Sequence, residues 1–125
     1  MKSSEKVILE KMIGYCDDIV SFLKKFNDSY EIYRSEKMLQ YACNTCIIQI
    51  GELSARLSDD FKESHKEIPW RIVKATRNFY AHDYERVDLA VMWQTLTNDI
   101  PELRKKLLKI LQSMQKESGA IGYEI

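Results

Sequence analysis

Arg77-Asn78-Phe79-Tyr80-Ala81-His82-Asp83-Tyr84 brings a permanent cation, a titratable imidazole and a phenol into one short stretch. A guanidinium offers a planar fork of donors that matches phosphate oxygens. An imidazole gains or loses its proton near neutral pH. Together they suit phosphodiester chemistry on RNA. His82 would take the proton of a ribose 2′-hydroxyl or supply one to the leaving 5′-oxygen. Arg77 would hold the scissile phosphate and neutralise charge growing on its oxygens. Asn78 and Asp83 could orient the reacting groups, and Tyr84 could stack on a base or offer its hydroxyl.

Geometry constrains this reading. Five residues along an α-helix advance about 500°, so Arg77 and His82 would point about 140° apart, whereas Arg77 and Tyr84 nearly share a face. Arg77 and His82 converge if the helix loosens near Ala81, if the arginine stem swings round, or if the same segments of two chains meet across a two-fold axis. Arg71 and Lys74 precede Arg77 at helical spacing and are the candidate phosphate-binding track. The same residues also have structural uses. An imidazolium suits the negative end of a helix dipole, Arg77 could pair with Asp83 or Glu85, and Tyr80 and Tyr84 could be core aromatics.

The elements that must position this segment read as helices. Ile8, Met12, Cys16, Ile19, Leu23 and Phe26 recur at three- and four-residue steps, which predicts a first helix over Ser4 to Phe26. Asn27-Asp28-Ser29 ends it, and Ser29 is placed to cap a short turn carrying Tyr30, Ile32 and Tyr33. A second helix is expected over Ser35 to Ser58 with Ser35 as N-cap. Its stripe of Leu39, Ala42, Cys46, Ile50, Leu53 and Leu57 is widened by Tyr41, Ile47 and Ile48, so it should be buried on more than one side. Asp59 to Ile68 reads as a charged loop with a helical turn. Pro69 suits the start of a third helix, which carries Trp70, Val73, Phe79 and Tyr80 and delivers the motif at its end. Asp88 is a candidate cap for a fourth helix, which Pro101 must kink or restart. From Lys116 the tail, with Gly119 and Gly122, is expected to fray. The fold class is all-α, an up-and-down bundle of four to five helices, and residues 1–125 form one domain.

Composition narrows the function classes. With 19 basic and 19 acidic residues the chain has no net charge, which argues against a general nucleic-acid coat but not against an enzyme with a local cationic pocket. No apolar run approaches the roughly 20 residues of a membrane span. An odd number of cysteines (Cys16, Cys43 and Cys46) without a secretory signal points to a reducing, cytoplasmic setting. Cys43 and Cys46 have C-x-x-C spacing but fall inside a helix, so small core residues are the better reading. His65 reads as a solvated surface histidine, and two histidines make a poor metal centre. Trp70 and Trp93 read as core or dimer-contact anchors. No metal or cofactor is expected.

Arg77, His82 and Tyr84 reproduce the pattern R-x-x-x-x-H-x-Y, which resembles the HepT-like branch of the HEPN superfamily. The likeness extends over residues 36–61, similar to the family's second helix, and 67–107, similar to its third and fourth, including the Ile68-Pro69-Trp70-Arg71 entry and Asp88-Leu89 after the motif. The resemblance implies a homodimeric all-α ribonuclease toxin of a toxin–antitoxin pair, with Arg77 and His82 carrying metal-independent RNA cleavage. It implies as partner a minimal nucleotidyltransferase antitoxin that attaches AMP to Tyr84, adding charge and bulk beside the cleft. The alternatives are a non-catalytic helical subunit that docks such a nucleotidyltransferase through the motif, and a helical module that binds a nucleotide there.

Overall fold

The computed structural model describes residues 2–86 and 88–122, with side chains described for 4–83, 85–86 and 88–116. Helix α1 spans Lys2–Lys25 and buries Leu9, Met12, Cys16, Ile19 and Leu23 along one stripe. Its end is set by Asn27 and Asp28, both with left-handed φ of 63° and 51°, a conformation these short polar side chains tolerate. The Asp28 N–H then closes on the Leu23 carbonyl at 2.9 Å. Ser29 caps α2 (Tyr30–Ser35), its hydroxyl accepting from the Ile32 N–H at 3.2 Å.

Helix α3 (Lys37–Ala55) is the centre of the bundle, packed against α1 and against α5 (Trp70–His82). It starts two residues later than the sequence predicts. Ser35 is the last residue of α2, where its hydroxyl bonds back to the Glu31 and Ile32 carbonyls. Glu36, in extended geometry, breaks the two helices apart. Ser58 caps α4 (Asp59–Ser64) through the Phe61 N–H at 3.1 Å and reaches Glu5 of α1 at 3.0 Å. Pro69 is the cap residue of α5 rather than its first turn, its carbonyl accepting from Ile72 and Val73.

Asp88 caps α6 (Leu89–Gln94), accepting from the Ala90 N–H at 2.7 Å. The helix restarts at Pro101, as the sequence predicts: α6 ends at Gln94 and a new α-helix begins at Ile100. The proline ring crowds the carbonyl four residues back, and the chain answers with a π segment at Thr95–Asp99, in which the Ile100 N–H reaches the Thr95 carbonyl. Helix α7 (Ile100–Gly122) follows directly, packs on α1 and buries Leu103, Leu107, Ile110 and Leu111. It continues past Lys116, where the sequence predicts fraying. Tyr30 and Tyr33 of α2 lie 5.7 and 5.3 Å from Trp93, tying α2 to α6. The result is an all-α bundle without strands among the described residues.

Candidate active site

Helix α5 is held at its entrance by Trp70, whose indole N–H donates to the His65 carbonyl at 3.0 Å and whose ring packs edge-on against Phe61. His65 is therefore not the solvated residue the sequence suggests. It is half-buried, its ring tilted against Phe61 at 4.5 Å, with Glu67 at 3.7 Å. From there α5 runs unbroken to His82, and the Asp83 N–H closes on the Phe79 carbonyl at 2.7 Å. The helix does not loosen at Ala81.

Arg77 faces α3. Its stem lies on Gly51, and a Cβ at that glycine would overlap Arg77 Cβ and Cγ. The absent side chain lets the two helices approach until the arginine crosses the α3 backbone. The guanidinium emerges beside Glu52, and Nη2 donates to its carboxylate. Nη1 donates to Asn78 Oδ1 at 2.8 Å. Nε is buried and has no hydrogen-bond partner among the described residues. The partner of Arg77 is thus Glu52, not the Asp83 or Glu85 suggested by proximity in sequence. Those two follow the end of α5, whereas Arg77 leaves the helix sideways toward α3.

His82 is exposed on the last turn of α5. With the helix intact, its direction is about 140° from that of Arg77. Asn78, which receives the Arg77 guanidinium, lies one turn before His82. His82 shares its outward face with Asn78 and Arg71, within about 40° of one another. Lys74 falls between that face and Arg77, so the basic series winds round the helix rather than forming a single row; Arg71 and Lys74 are both exposed. Asp83 is the exposed C-cap of α5, and its carbonyl accepts from the Arg86 N–H at 2.9 Å. Tyr84 opens a 3₁₀ turn, Tyr84–Arg86, but its side chain lies outside the described residues.

Tyr80 points inward. Burial raises its phenol to about 12, and its hydroxyl, beside Thr95, has no partner at hydrogen-bond geometry among the described residues. An open hollow of about 330 Å³ lies between α5 and α7 over the α3 floor, walled by Ile47, Ile50, Ile72, Val73, Ile100 and Leu103. Neither Arg77 nor His82 lines it. The three cysteines are buried and unbridged, and burial pushes Cys16 and Cys43 up to about 12 and Cys46 to about 11, far from a reactive thiolate. Among the described residues, no group of three or more His, Cys, Asp or Glu side chains is placed to hold a metal ion, and no helix is long and apolar enough to cross a membrane.

Gly51 and Glu52 are the site residues that the reading of the sequence missed. The available signal was a glycine in the interior of a strong helical pattern, which costs helix stability and so implies a packing reason.

Comparison with known proteins bears on what this arrangement serves. Residues 12–110 match the model of the family described as Ribonuclease HepT-like. A Thermococcus cleftensis protein named "Probable ribonuclease HepT" is 36% identical over 110 residues, covering 88% of this chain and 98% of its own. Two Methanocaldococcus jannaschii proteins, "Putative RNase MJ1216" and "Putative RNase MJ0125", are 32% and 30% identical. The alignments cover 91% and 93% of this chain, and 93% and 98% of theirs. No solved structure matches. With the family model spanning most of the bundle, including α3 and α5, the chain belongs to the HepT-like ribonuclease family.

Proposed function

We propose that this protein is a metal-independent endoribonuclease that works as a homodimer, with Arg77 and His82 as its catalytic residues. The observation that carries the reading is the family match over a helix that carries Arg77 and ends at His82, with Tyr84 just beyond, the arginine anchored and the histidine in solvent. The backbone directions of Arg77 and His82 differ by about 140° on α5, and a two-fold pairing of the motif helices would supply both groups to one phosphate. It would also supply two imidazoles. One takes the proton of the ribose 2′-hydroxyl as that oxygen attacks phosphorus. The other, as imidazolium, gives a proton to the departing 5′-oxygen, leaving a 2′,3′-cyclic phosphate and a free 5′-hydroxyl. Arg77 bears on the charge that builds on the phosphoryl oxygens. Because the nucleophile belongs to the substrate, the reaction needs no metal-activated water. Arg71, Lys74 and Asn78 lie on or beside the outward face of α5 and would track the RNA backbone.

The same reading makes the protein the toxin of a cytoplasmic toxin–antitoxin pair. Its partner would be a minimal nucleotidyltransferase that joins AMP to Tyr84: the phenol oxygen bonds to the α-phosphorus of ATP and pyrophosphate leaves. The added phosphate would repel RNA at the end of α5. The zero net charge of the chain fits an enzyme that relies on local cations rather than on a broad field. The test is incubation of the purified protein with RNA in excess EDTA. The expected products end in 2′,3′-cyclic phosphates. RNA left intact, or cleaved only when divalent metal is restored, overturns the proposal.

A further inference from the structure

We infer that Glu52 is a positioning residue that fixes the Arg77 guanidinium for phosphate, an assignment that rests on the ribonuclease reading above. Three observations meet at one point of the α3–α5 contact. Gly51 removes the side chain that would keep Arg77 off α3. The next residue, Glu52, receives Nη2, and Asn78 receives Nη1 at 2.8 Å. Nε lies buried, with no hydrogen-bond partner among the described residues, and the side chain is 31% exposed. An arginine has five N–H donors in a fixed plane. Glu52 and Asn78 occupy two, so donors remain for phosphoryl oxygens while the plane itself is held by residues of two helices.

This arrangement contributes little as a stabilising ion pair, because Glu52 is half-exposed and such pairs are screened by solvent. Its effect is on geometry. A long arginine stem loses much rotamer freedom when it binds an anion, and a guanidinium already fixed meets the developing charge without that reorganisation. The carboxylate also withholds net positive charge from the site, so Arg77 binds a phosphate ester by directed hydrogen bonds more than by bulk attraction. Glu52 thus trades affinity for alignment.

The variants Glu52→Ala, Glu52→Gln and His82→Ala distinguish this role from a structural one. Steady-state RNA cleavage is measured for each, together with the NMR signals of the Arg77 Nη groups. In Glu52→Ala, kcat should fall about 10- to 100-fold, the scale of a misplaced catalytic group, and Nη signals kept separate in the wild type by hindered rotation should merge. Glu52→Gln keeps an oxygen that accepts from Nη2. It should retain most of kcat and separate signals, with a lower KM at low salt because a negative charge is gone. The assignment is overturned if Glu52→Ala keeps the wild-type kcat, if Ala and Gln lower it equally, or if the Nη signals of Glu52→Ala stay separate. An active wild type with a dead His82→Ala and an unaltered Glu52→Ala removes this assignment alone. A wild type that leaves RNA intact removes the ribonuclease reading and the assignment with it.

Discussion

The two faces of α3 are built to different rules. Toward α1 run Leu39, Cys46 and Leu53, spaced by sevens and all buried, with Cys46 close enough to Cys16 for the two thiols to influence each other. Toward α5 run Asn44 and Gly51, also seven apart: a buried amide whose oxygen has no partner among the described residues, and a missing side chain. The first face resembles the interior of any helical bundle and would accept substitutions of similar volume. The second gives up side-chain volume at Gly51, where the Arg77 stem crosses it. A protein tolerates such local losses where geometry is needed for something other than folding. The difference between the faces separates residues whose loss should cost stability from residues whose loss should cost activity.

The largest expected effect contrasts His82→Ala with Leu107→Ala. His82 is exposed at the end of α5, so its removal should leave stability within about 0.5 kcal/mol of wild type, while kcat/KM on RNA falls about 10²- to 10⁴-fold. Leu107 is wholly buried on α7, the helix that packs on α1. Its truncation should cost about 2–5 kcal/mol in urea denaturation and leave the kcat of the folded fraction unchanged. If both variants lost stability and activity in proportion, the division between a structural and a chemical face would collapse.

How much of this was legible in the sequence follows the same division. The α1 stripe was readable because apolar side chains repeated at helical spacing, and nothing else competes to explain such a repeat. Ser29, Ser58 and Asp88 all became caps, although only Ser29 and Asp88 stand out in the sequence. Ser35 misled: a serine before an apolar run has the signature of an N-cap, yet here it closes the preceding short helix, its hydroxyl bonded back to the Glu31 and Ile32 carbonyls. The motif residues were visible by type and spacing, but the partner of Arg77 was not. Glu52 lies 25 positions away in the sequence, and only the fold brings it near. Local spacing predicted Asp83 or Glu85 because it carries no information about which helix packs where.

The two interior glycines sharpen the comparison at intermediate scale. Gly14 sits in the middle of α1, exposed, and a Cβ added there would meet nothing within 4 Å. Gly14→Ala should therefore stabilise the protein by about 0.5–1 kcal/mol through helix propensity alone. Gly51→Ala gains the same propensity but drives a methyl into the first two carbons of the Arg77 side chain, which the α5 backbone holds in place. Overpacking of that kind costs about 1–3 kcal/mol, so the net change should be a loss of stability together with a loss of RNA cleavage as α5 shifts outward. Thermal melts of the two variants settle it. A stabilised Gly51→Ala would mean that α3 and α5 do not meet closely there.

The smallest effect belongs to the apolar face and appears only with alkali. Burial raises Cys16 and Cys43 from 9.0 to about 12 and Cys46 to about 11. A raised thiol keeps its proton in the folded protein at a pH where the unfolded chain has lost it. Between pH 9 and about 11–12 the native state therefore binds more protons than the unfolded state, and stability falls as pH rises. Below pH 9 the contribution is fully present and the curve should be flat from this source. Tyr33 and Tyr80, also raised by burial, extend the decline at its upper end. Urea midpoints taken from pH 7 to 10.5 should show the onset near 9, and a variant with all three cysteines changed to alanine should show a shallower slope above it. An unchanged slope in that variant would leave the alkaline sensitivity to the buried phenols of Tyr33 and Tyr80.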